Sequence, residues 1–421
     1  MYENYISPRM RLLDTESAFK TLARAKALEA QGRSIIHMEI GQPDFPTPAN
    51  VIDAAHRAML AGHTGYTATP GLPEAREAIA GYVSMQKGVA AAPDEVVIVP
   101  GGKPVIFFTM QMLVSPGDEV LYPNPSFPIY ESCVKFAGGV PVPVPLKAED
   151  GFRIDVGALK SKLTDRTKLL ILNNPANPTG GVYTRRDVLD IAEALKDRPG
   201  VFVLSDEIYD RLVYDDAFEN AAGAGDDGIK ASGGGKNNAG FAGAGRRVTS
   251  IASIPWMKDR TIILDGMSKT YSMTGWRLGY GVMHRELAEM MELLAVNSFS
   301  CAAAFTQMAA VEALRGPQGA VEEMRAAFRE RRDYLVSALN SIDGIKCQSP
   351  GGAFYAFPDI TGAGVSSAEF ADRLLTEGGV AASSGASFGA YGEGFIRLSY
   401  ATSLENIKIA VERISAFVRT L

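Results

Sequence analysis

The sequence has little of what several classes of protein require. Its cysteines are few, odd in number and far apart, which argues against a disulfide framework and a cysteine-based metal site. The four histidines follow no recognisable metal-ligand spacing, no apolar run is long enough to cross a bilayer, and the N-terminus lacks the apolar core of a signal peptide. These absences predict no metal, no membrane and a reducing, cytoplasmic location. Acid–base chemistry is therefore expected from lysine, tyrosine or carboxylate groups.

Charge of one sign is not concentrated anywhere along the chain. The formal net charge is −6, and no block of like charge stands out, so a nucleic-acid partner is not expected. Of the 421 residues, 46% are hydrophobic and 21% are charged, which is an ordinary balance for a globular protein. The length is sufficient for one large domain or two medium domains.

Short apolar runs alternate with longer helical patterns through the first three quarters of the chain. Continuous apolar runs are typical of strands that are buried on both faces, and strands that alternate with helices indicate a mainly parallel sheet with helices on both sides. The predicted strands are 95–100, 118–123, 168–175, 201–207, 260–266 and 277–283, and the clearest helices are 103–114, 185–196 and 285–297. In such sheets, ligands bind beyond the carboxyl ends of the strands.

The pattern changes after residue 310. A long charged helix at about 317–342, a helix near 367–376 and a strand at 394–401 predict a second, smaller α+β domain, completed by the N-terminal helix. In that strand Phe395, Arg397 and Ser399 alternate with apolar neighbours, so its two faces should differ. The Gly- and Ala-rich segment 221–245 has no periodicity and predicts a flexible surface insertion.

Polar residues follow the predicted strands at points that a parallel sheet would bring together. VIVPGGKPVIFF, residues 97–108, is a strand, a Gly-Gly turn and a helix whose free N–H groups could bind an anion, although such a turn can also be only a turn. LNNPANPTGG, residues 172–181, could be a plain turn or a rigid loop that donates amide hydrogen bonds into a crevice.

Two further strand ends carry ionisable groups. Asp206, in VLSDEIYDR, could cap a helix or pair with a buried cation. Lys269, in LDGMSKTYSMTGWRLGY, follows a buried strand, and a lysine in a partly desolvated crevice becomes a nucleophile for carbonyl compounds. A lysine that forms a Schiff base and an acid for a pyridinium nitrogen are what pyridoxal phosphate enzymes require. Gly101–Lys103 and Arg277 are then candidates to bind the phosphate.

NNPANPTG, SDEIY and SKTYSMTGWRLGY, in this order, resemble the class I pyridoxal-phosphate-dependent aminotransferases of fold type I, near the prokaryotic aspartate aminotransferases. The resemblance extends from IGQPDFPTP at 40–48 to GFIRLSYATS at 394–403. It implies an α/β fold with a large domain, whose mainly parallel seven-stranded sheet is flanked by helices, and a smaller α+β domain built from the N- and C-terminal segments. The expected boundaries are 1–45, 46–310 and 311–421, with the cofactor in the middle segment.

The resemblance also assigns catalytic roles. Lys269 would form a Schiff base with pyridoxal 5′-phosphate and move the substrate proton. Asp206 would keep the pyridine nitrogen protonated, and Asn177 and Tyr209 would hydrogen-bond the phenolic oxygen. Phe127 would stack on the ring, although it could also serve only packing.

The same comparison implies a phosphate site and a partner subunit. Gly102, Lys103, Ser268 and Arg277 fall at or beside the phosphate, and Ser268 could serve only as a small residue before the lysine. Tyr66 matches a tyrosine that reaches the phosphate of the neighbouring subunit, which implies a homodimer with shared active sites. Packing on the core is the alternative for Tyr66.

The implied reaction is a ping-pong transamination between an L-amino acid and a 2-oxo acid. Arg397 would hold the α-carboxylate by a two-pronged contact, helped by the Gly41 backbone, and the other substrate-binding residues would be Phe127, Asn177 and Lys103. Lys103 favours a distal carboxylate, hence aspartate or glutamate with 2-oxoglutarate or oxaloacetate.

Pocket shape and reaction type leave alternatives open. Pro104 and the pair Ser126–Phe127 depart from the commoner pattern, so an aromatic or small neutral amino acid is also compatible with the sequence. Another pyridoxal phosphate reaction on the same scaffold, such as that of a β-lyase or a synthase, is a second alternative. A non-enzymatic binding role is a third, disfavoured because the chain shows no added DNA-binding module and no basic patch.

Overall fold

The computed structural model describes residues 5–13, 17–214 and 248–421. The predicted insertion at 221–245 lies outside these ranges. Within them, no helix combines the length and the apolar character that are needed to cross a membrane.

A seven-stranded sheet forms the centre of the molecule. Its order is β2-β8-β7-β6-β5-β3-β4, and β8 runs antiparallel to both of its neighbours whereas all other neighbouring pairs are parallel. The mainly parallel sheet is thus confirmed. The strands are β2 Val96–Val99, β3 Glu119–Asn124, β4 Val140–Pro145, β5 Thr167–Asn173, β6 Phe202–Asp206, β7 Thr261–Gly266 and β8 Gly279–Val282.

One strand of this sheet was missed by the sequence patterns. The other six follow continuous apolar runs, but β4 has the sequence VPVPVP, and proline cannot donate a hydrogen bond to a sheet ladder. Such a strand is tolerated at a sheet edge, where one row of N–H groups has no partner. β4 occupies the edge and pairs only with β3 among the described strands.

Helices cover both faces of the sheet. Alternate residues of β2 enter different cores: Val96 and Ile98 pack with the helices at 73–82 and 304–315, and Val97 and Val99 with those at 103–113 and 285–296. The helices are α1 Ser17–Glu29, α2 Ala49–Leu60, α3 Pro73–Tyr82, α4 Lys103–Leu113, α5 Ile129–Phe136, α6 Val156–Lys162, α7 Arg185–Ala194, α8 Met267–Thr270, α9 Arg285–Val296, α10 Ala304–Arg315, α11 Gly319–Leu339, α12 Ser367–Arg373 and α13 Leu404–Val418.

Two small sheets lie outside the large one, and one of them joins the two ends of the chain. Strand β1 Ile36–His37 pairs in parallel with β10 Val380–Ala381, so the N-terminal segment is hydrogen-bonded to the C-terminal one. Strand β12 Ile396–Ser399 lies between β11 Ser383–Ser384 and β9 Tyr355–Ala356. The domain boundaries at 45 and 310 stay a prediction.

The faces of β12 differ, as the alternation predicts. Ile396 and Leu398 enter a hydrophobic core with helices α11 and α13, whereas Arg397 points to a cleft beside the large sheet. The carboxyl ends of β5, β6 and β7 open to the same cleft, since Asn173 pairs with Asp206, and Asp206 with Leu264.

Candidate active site

A cleft of about 430 Å³ lies at the carboxyl edge of the large sheet. All the residues predicted for the site line it except Gly101 and Tyr66, so segments distant in sequence converge as expected. The predicted residues that line it are Gly41, Gly102, Lys103, Phe127, Asn177, Asp206, Tyr209, Ser268, Lys269, Arg277 and Arg397.

Lys269 lies on the short helix α8, directly after strand β7. Its side chain is partly buried, and its Nζ donates a hydrogen bond to the carbonyl oxygen of Gly41 at 2.6 Å. The same Nζ lies 6.0 Å from the centroid of the Phe354 ring. Ser268, one residue earlier, is buried at the wall of the cleft. The amine therefore joins the strand end to the segment that begins with Gly41.

Asp206 ends strand β6 and is almost completely buried. Its Oδ2 accepts a hydrogen bond from the Tyr130 hydroxyl at 2.7 Å, and its Oδ1 accepts one from the Ile208 N–H at 3.2 Å. Burial raises the pKa of Asp206 to about 6, although both hydrogen bonds favour the ionised form. A buried carboxylate of this kind is suited to bind a cation in the cleft.

Arg397 is buried between two aromatic rings. Its guanidinium carbon lies 4.6 Å from the centroid of Tyr355 and 4.9 Å from that of Phe388. Nη1 donates to Asn177 Oδ1 at 3.0 Å and Nη2 to the Glu39 carbonyl oxygen. Among the described residues, Nε has no hydrogen-bond partner and no carboxylate pairs with the side chain. A buried cation with a donor to spare is suited to bind an anion.

The loop after β5 is tied to the end of β6 by asparagine side chains. The Asn177 N–H donates to Asn173 Oδ1 at 2.8 Å, and Asn173 Nδ2 donates to the Asp206 carbonyl oxygen at 3.2 Å. Amide groups thus tie the loop to the end of the sheet, and whether it also donates hydrogen bonds into a crevice stays a prediction. It places the Asn177 side chain between Arg397 and the sheet.

Tyr209 follows Asp206 in a turn rather than in a helix. Its hydroxyl lies 2.9 Å from that of Tyr355, and both side chains are buried. Gly41 lies against the same tyrosine, because a Cβ on Gly41 would be 2.0 Å from the Tyr355 hydroxyl oxygen. The Gly41 backbone can therefore approach the cleft only because residue 41 has no side chain.

The Gly-Gly turn after β2 has the geometry of an anion site. Gly101 has a φ of +82°, and a Cβ there would lie 2.0 Å from Nη2 of Arg277. Gly102 is the N-cap of α4, and Gly102 and Lys103 both line the cleft, so the amino end of this helix borders the site. Arg277 donates to the carbonyl oxygens of Thr274 at 2.9 Å and Pro100 at 3.4 Å, which holds its guanidinium over the turn.

Two aromatic residues and a lysine form one wall. Lys103 is exposed and its Nζ lies 5.8 Å from the centroid of the Phe127 ring. Phe127 in turn meets Tyr130 edge to face, with centroids 5.7 Å apart. Tyr66 lies outside the cleft with its side chain 92% exposed, so this chain does not bring it to its own site.

Tyr130 and Tyr355 were missed by the sequence interpretation. Tyr130 follows Phe127 by three residues in NPSFPIY, so one helical turn could have placed both rings together. No local pattern indicated Tyr355, whose contacts with Tyr209 and Arg397 are made across the fold.

Comparisons with known proteins give one consistent result. The sequence profile of the family "Aminotransferase class I and II" matches residues 33–414. An aspartate aminotransferase of Bacillus sp. (strain YM-2) is 38% identical and the match covers 98% of this chain and 99% of that protein. The solved structure of the aspartate aminotransferase from Rhizobium meliloti has a TM-score of 0.88 at 34% identity and 98% coverage of both chains. That of an aromatic aminotransferase from Pyrococcus horikoshii OT3 has a TM-score of 0.83 at 36% identity, covering 94% of this chain and 98% of that one.

Proposed function

This chain belongs to the class I and II aminotransferases, a family of pyridoxal-phosphate-dependent transferases, and we propose that it transfers an amino group between an L-amino acid and a 2-oxo acid. The two half-reactions alternate in a ping-pong order. Aspartate or glutamate is the proposed donor, and 2-oxoglutarate or oxaloacetate the proposed acceptor. We further propose that the protein is a homodimer and that it is located in the cytoplasm.

The observation that carries this proposal is the buried guanidinium of Arg397. It shares a cleft with Lys269 and Asp206, and its Nε has no hydrogen-bond partner among the described residues. A planar fork with a spare donor matches a carboxylate, which every amino acid and every 2-oxo acid carries. A fixed carboxylate anchor beside a nucleophilic amine is what amino-group exchange between such acids requires.

The donor set of the cleft fits pyridoxal phosphate. Lys269 would hold the aldehyde carbon covalently, Asp206 would pair with the ring nitrogen, and the 101–103 turn with Arg277 and Ser268 would hold the phosphate. The space at Gly101, which a Cβ would fill, supports this assignment.

The remaining contacts would be made to the cofactor ring. Asn177 and Tyr209 would hydrogen-bond the ring oxygen, and Phe127 would stack on the ring. The bound cofactor supplies an electron sink for the bond that breaks at the amino acid Cα.

The chain's own groups supply binding and proton transfer. Arg397 and the Gly41 backbone orient the α-carboxylate, so that the Cα–H of the donor faces Nζ of Lys269. Nζ of Lys269 then accepts the Cα proton as a general base and later donates a proton as a general acid.

Lys103 supports a dicarboxylic donor. Its ammonium stands at the mouth of the cleft near Phe127, where it can meet a second carboxylate. The relatives from Bacillus sp. and Rhizobium meliloti are named as aspartate aminotransferases. The relative from Pyrococcus horikoshii is named as an aromatic one, and Phe127 with Tyr130 supplies aromatic surface in this wall. Aromatic donors are therefore the second candidate.

Tyr66 supports the shared site of a dimer. Its ring is almost fully exposed in the single chain, although aromatic side chains bury large apolar areas when they find a surface. A two-fold partner would place each Tyr66 at the other chain's phosphate site, as the resemblance implies.

The proposal is tested by a half-reaction screen. The holoenzyme is mixed with one amino acid at a time, and the visible absorbance of the bound cofactor is followed. Aspartate and glutamate should bleach the band at the lowest concentrations. If no amino acid bleaches the band, the proposed transamination is wrong. If the protein releases ammonia and pyruvate without an oxo acid, it is instead a lyase on the same scaffold.

The role of Lys103 is tested by Lys103→Ala. The half-saturating concentration should rise roughly 10- to 100-fold for aspartate and glutamate, the loss of one charge-assisted contact, and much less for alanine or phenylalanine. Lys168→Ala is the matched control, because Lys168 also lies near a phenyl ring, 5.5 Å from the Phe202 centroid, but outside the cleft. An equal loss for all donors would assign Lys103 to phosphate binding alone.

A further inference from the structure

A lysine outside the cleft is surrounded by three carboxylates. Lys87 ends the turn Val83–Lys87 after helix α3, and its side chain is only 3% exposed. Its Nζ lies 2.7 Å from Asp210 Oδ2, 2.9 Å from Asp265 Oδ2 and 3.0 Å from Glu207 Oε2. We refer to Lys87, Glu207, Asp210 and Asp265 as the Lys87 cluster.

The sequence positions of these carboxylates connect the cluster to the active site. Glu207 directly follows Asp206, and Asp210 directly follows Tyr209; Asp206 and Tyr209 line the cleft, whereas the two carboxylates contact Lys87 instead. Asp265 is the penultimate residue of strand β7, which leads into Lys269. One ammonium group therefore bridges the two neighbouring strand ends that carry the proposed functional groups.

Neutral donors complete the cluster. The hydroxyl of Tyr82 donates to Asp210 Oδ2 at 2.9 Å, and that of Tyr280 donates to Asp265 Oδ2 at 3.1 Å. Glu207 Oε1 accepts hydrogen bonds from the hydroxyl groups of Ser205 at 2.7 Å and Ser250 at 2.6 Å. Each carboxylate is thus held from two sides, by Lys87 and by another element, which leaves the three acids little freedom to move.

The Lys87 cluster combines one ammonium group with three carboxyl groups, and burial acts on all of them. Burial lowers and the three carboxylates raise the pKa of Lys87, which ends well above its usual value, so the ammonium persists at every working pH. Burial, with the neighbouring Asp210, raises the pKa of Asp265 to about 8. The nearby Arg211 is engaged with Glu322 at 3.2 Å.

Stability alone does not account for such an arrangement. Taking ions out of water is expensive, and well-packed apolar residues of similar volume are often equally or more stabilising than a buried ion pair. What an ammonium with three fixed carboxylates adds is a defined geometry between the segments that bear them.

We propose that Lys87 is a positioning residue: its ammonium holds the 206–210 turn and the 265–269 segment at the separation that amino-group transfer requires. This inference rests on the proposed function, because it takes Asp206, Tyr209 and Lys269 as the groups to be positioned. Lys87 itself does not line the cleft.

The first test compares Lys87→Met with Lys87→Arg in the holoenzyme. Lys87→Met should lower kcat about 10- to 100-fold, since small misplacements of reacting groups cost this much, with little change in KM for the amino donor. Lys87→Arg keeps the charge, and its kcat should be at least tenfold higher than that of Lys87→Met. Lys258→Met removes a partly buried ion pair, in which Nζ lies 2.8 Å from Glu95 Oε1 and away from the cleft, and should leave kcat unchanged.

A second readout does not depend on turnover. The pH midpoint of the visible absorbance of the resting holoenzyme should move by at least half a pH unit in Lys87→Met and return in Lys87→Arg, because a displaced Asp206 or Lys269 alters the groups that face the cofactor. If Lys87→Met does not fold, the variant Lys87→Met/Glu207→Gln/Asp210→Asn removes the ammonium together with two of the three carboxyl groups around it. A folded variant of either kind with wild-type kcat and midpoint would overturn the proposal, and so would a failure of both to fold, which would make Lys87 a folding residue.

Failure of the proposed function is distinguishable from failure of this inference. Borohydride reduction of the holoenzyme fixes the cofactor on Lys269 if that residue carries it. Lys87→Met should keep this fixable link while kcat falls, whereas Lys269→Ala should lose it. Retention of the link in Lys269→Ala would overturn the proposed function instead.

Discussion

The buried carboxyl of Asp206 makes the stability of the cofactor-free protein depend on pH. Burial raises its pKa to about 6 from a usual value of 3.8. A carboxyl with a higher pKa in the folded chain than in the unfolded chain binds its proton more tightly when folded. Its contribution to stability is therefore fully present below about pH 4, and it is lost as the pH rises to about 6.

The magnitude follows from the size of the shift. A difference of about 2 pKa units at 1.36 kcal/mol each corresponds to about 3 kcal/mol of unfolding free energy. Asp206→Asn removes the titration but can keep both contacts, since an asparagine oxygen can accept from the Ile208 N–H and its amide can donate to the Tyr130 hydroxyl. The wild-type advantage over this variant should therefore shrink by about 3 kcal/mol between pH 4 and pH 7.

Urea unfolding of the cofactor-free proteins, followed by circular dichroism between pH 4 and pH 7.5, measures this difference. Other titrating groups are common to both proteins and cancel. Asp165→Asn serves as the control, because the Asp165 side chain is fully exposed and its contact with Arg198 is long, at 4.0 Å. A wild-type advantage that stays constant over the whole range would refute the reasoning.

Adding pyridoxal phosphate extends the experiment to the proposed role. A protonated ring nitrogen beside Asp206 favours the ionised carboxylate, so the loss of stability above pH 4 should largely disappear in the wild-type holoenzyme. At pH 7, the cofactor should raise the unfolding free energy of the Asp206→Asn variant by less than that of the wild-type protein. An identical gain in the two proteins would contradict the pairing of Asp206 with the ring.

Two further predictions concern single residues of the cleft. Lys269→Ala should abolish the pH-sensitive visible absorption of the bound cofactor, as seen in absorbance spectra at pH 6 and pH 9; a variant with the wild-type spectrum would refute the assignment. Arg397→Lys keeps the charge but loses the planar fork, so KM for every amino donor should rise roughly 10- to 100-fold in steady-state assays. An unchanged KM would show that the carboxylate is bound elsewhere.

The location of the cleft could be predicted because it depends on strand ends. Asp206 and Lys269 follow continuous apolar runs, and the carboxyl ends of parallel strands meet at one edge of a sheet. No such rule places Arg397, which lies in a small antiparallel sheet and was assigned only by resemblance. Local pattern and family likeness thus supplied different parts of the site.

Residues that support the cleft from behind could not be predicted. Tyr130 reaches Asp206 across 76 positions of the sequence, Tyr355 reaches Tyr209 across 146, and Lys87 reaches Asp210 across 123. A tyrosine or lysine of this kind has ordinary neighbours in sequence, and only the assembled fold gives it a buried partner. Strand β4 was missed for the opposite reason, because its prolines dominate the local pattern.

The prolines of β4 also bear on how the molecule avoids aggregation. The N–H groups of Val140 and Leu146, at the two ends of this stretch, point inward and bond to the strand β3 side. In an extended strand the alternate positions 141, 143 and 145 face outward, and each of them is a proline without an N–H. A strand from another molecule that approached this edge would find no donor at three successive sites. The sheet therefore cannot easily be extended from this edge into a fibril or a strand-swapped pair.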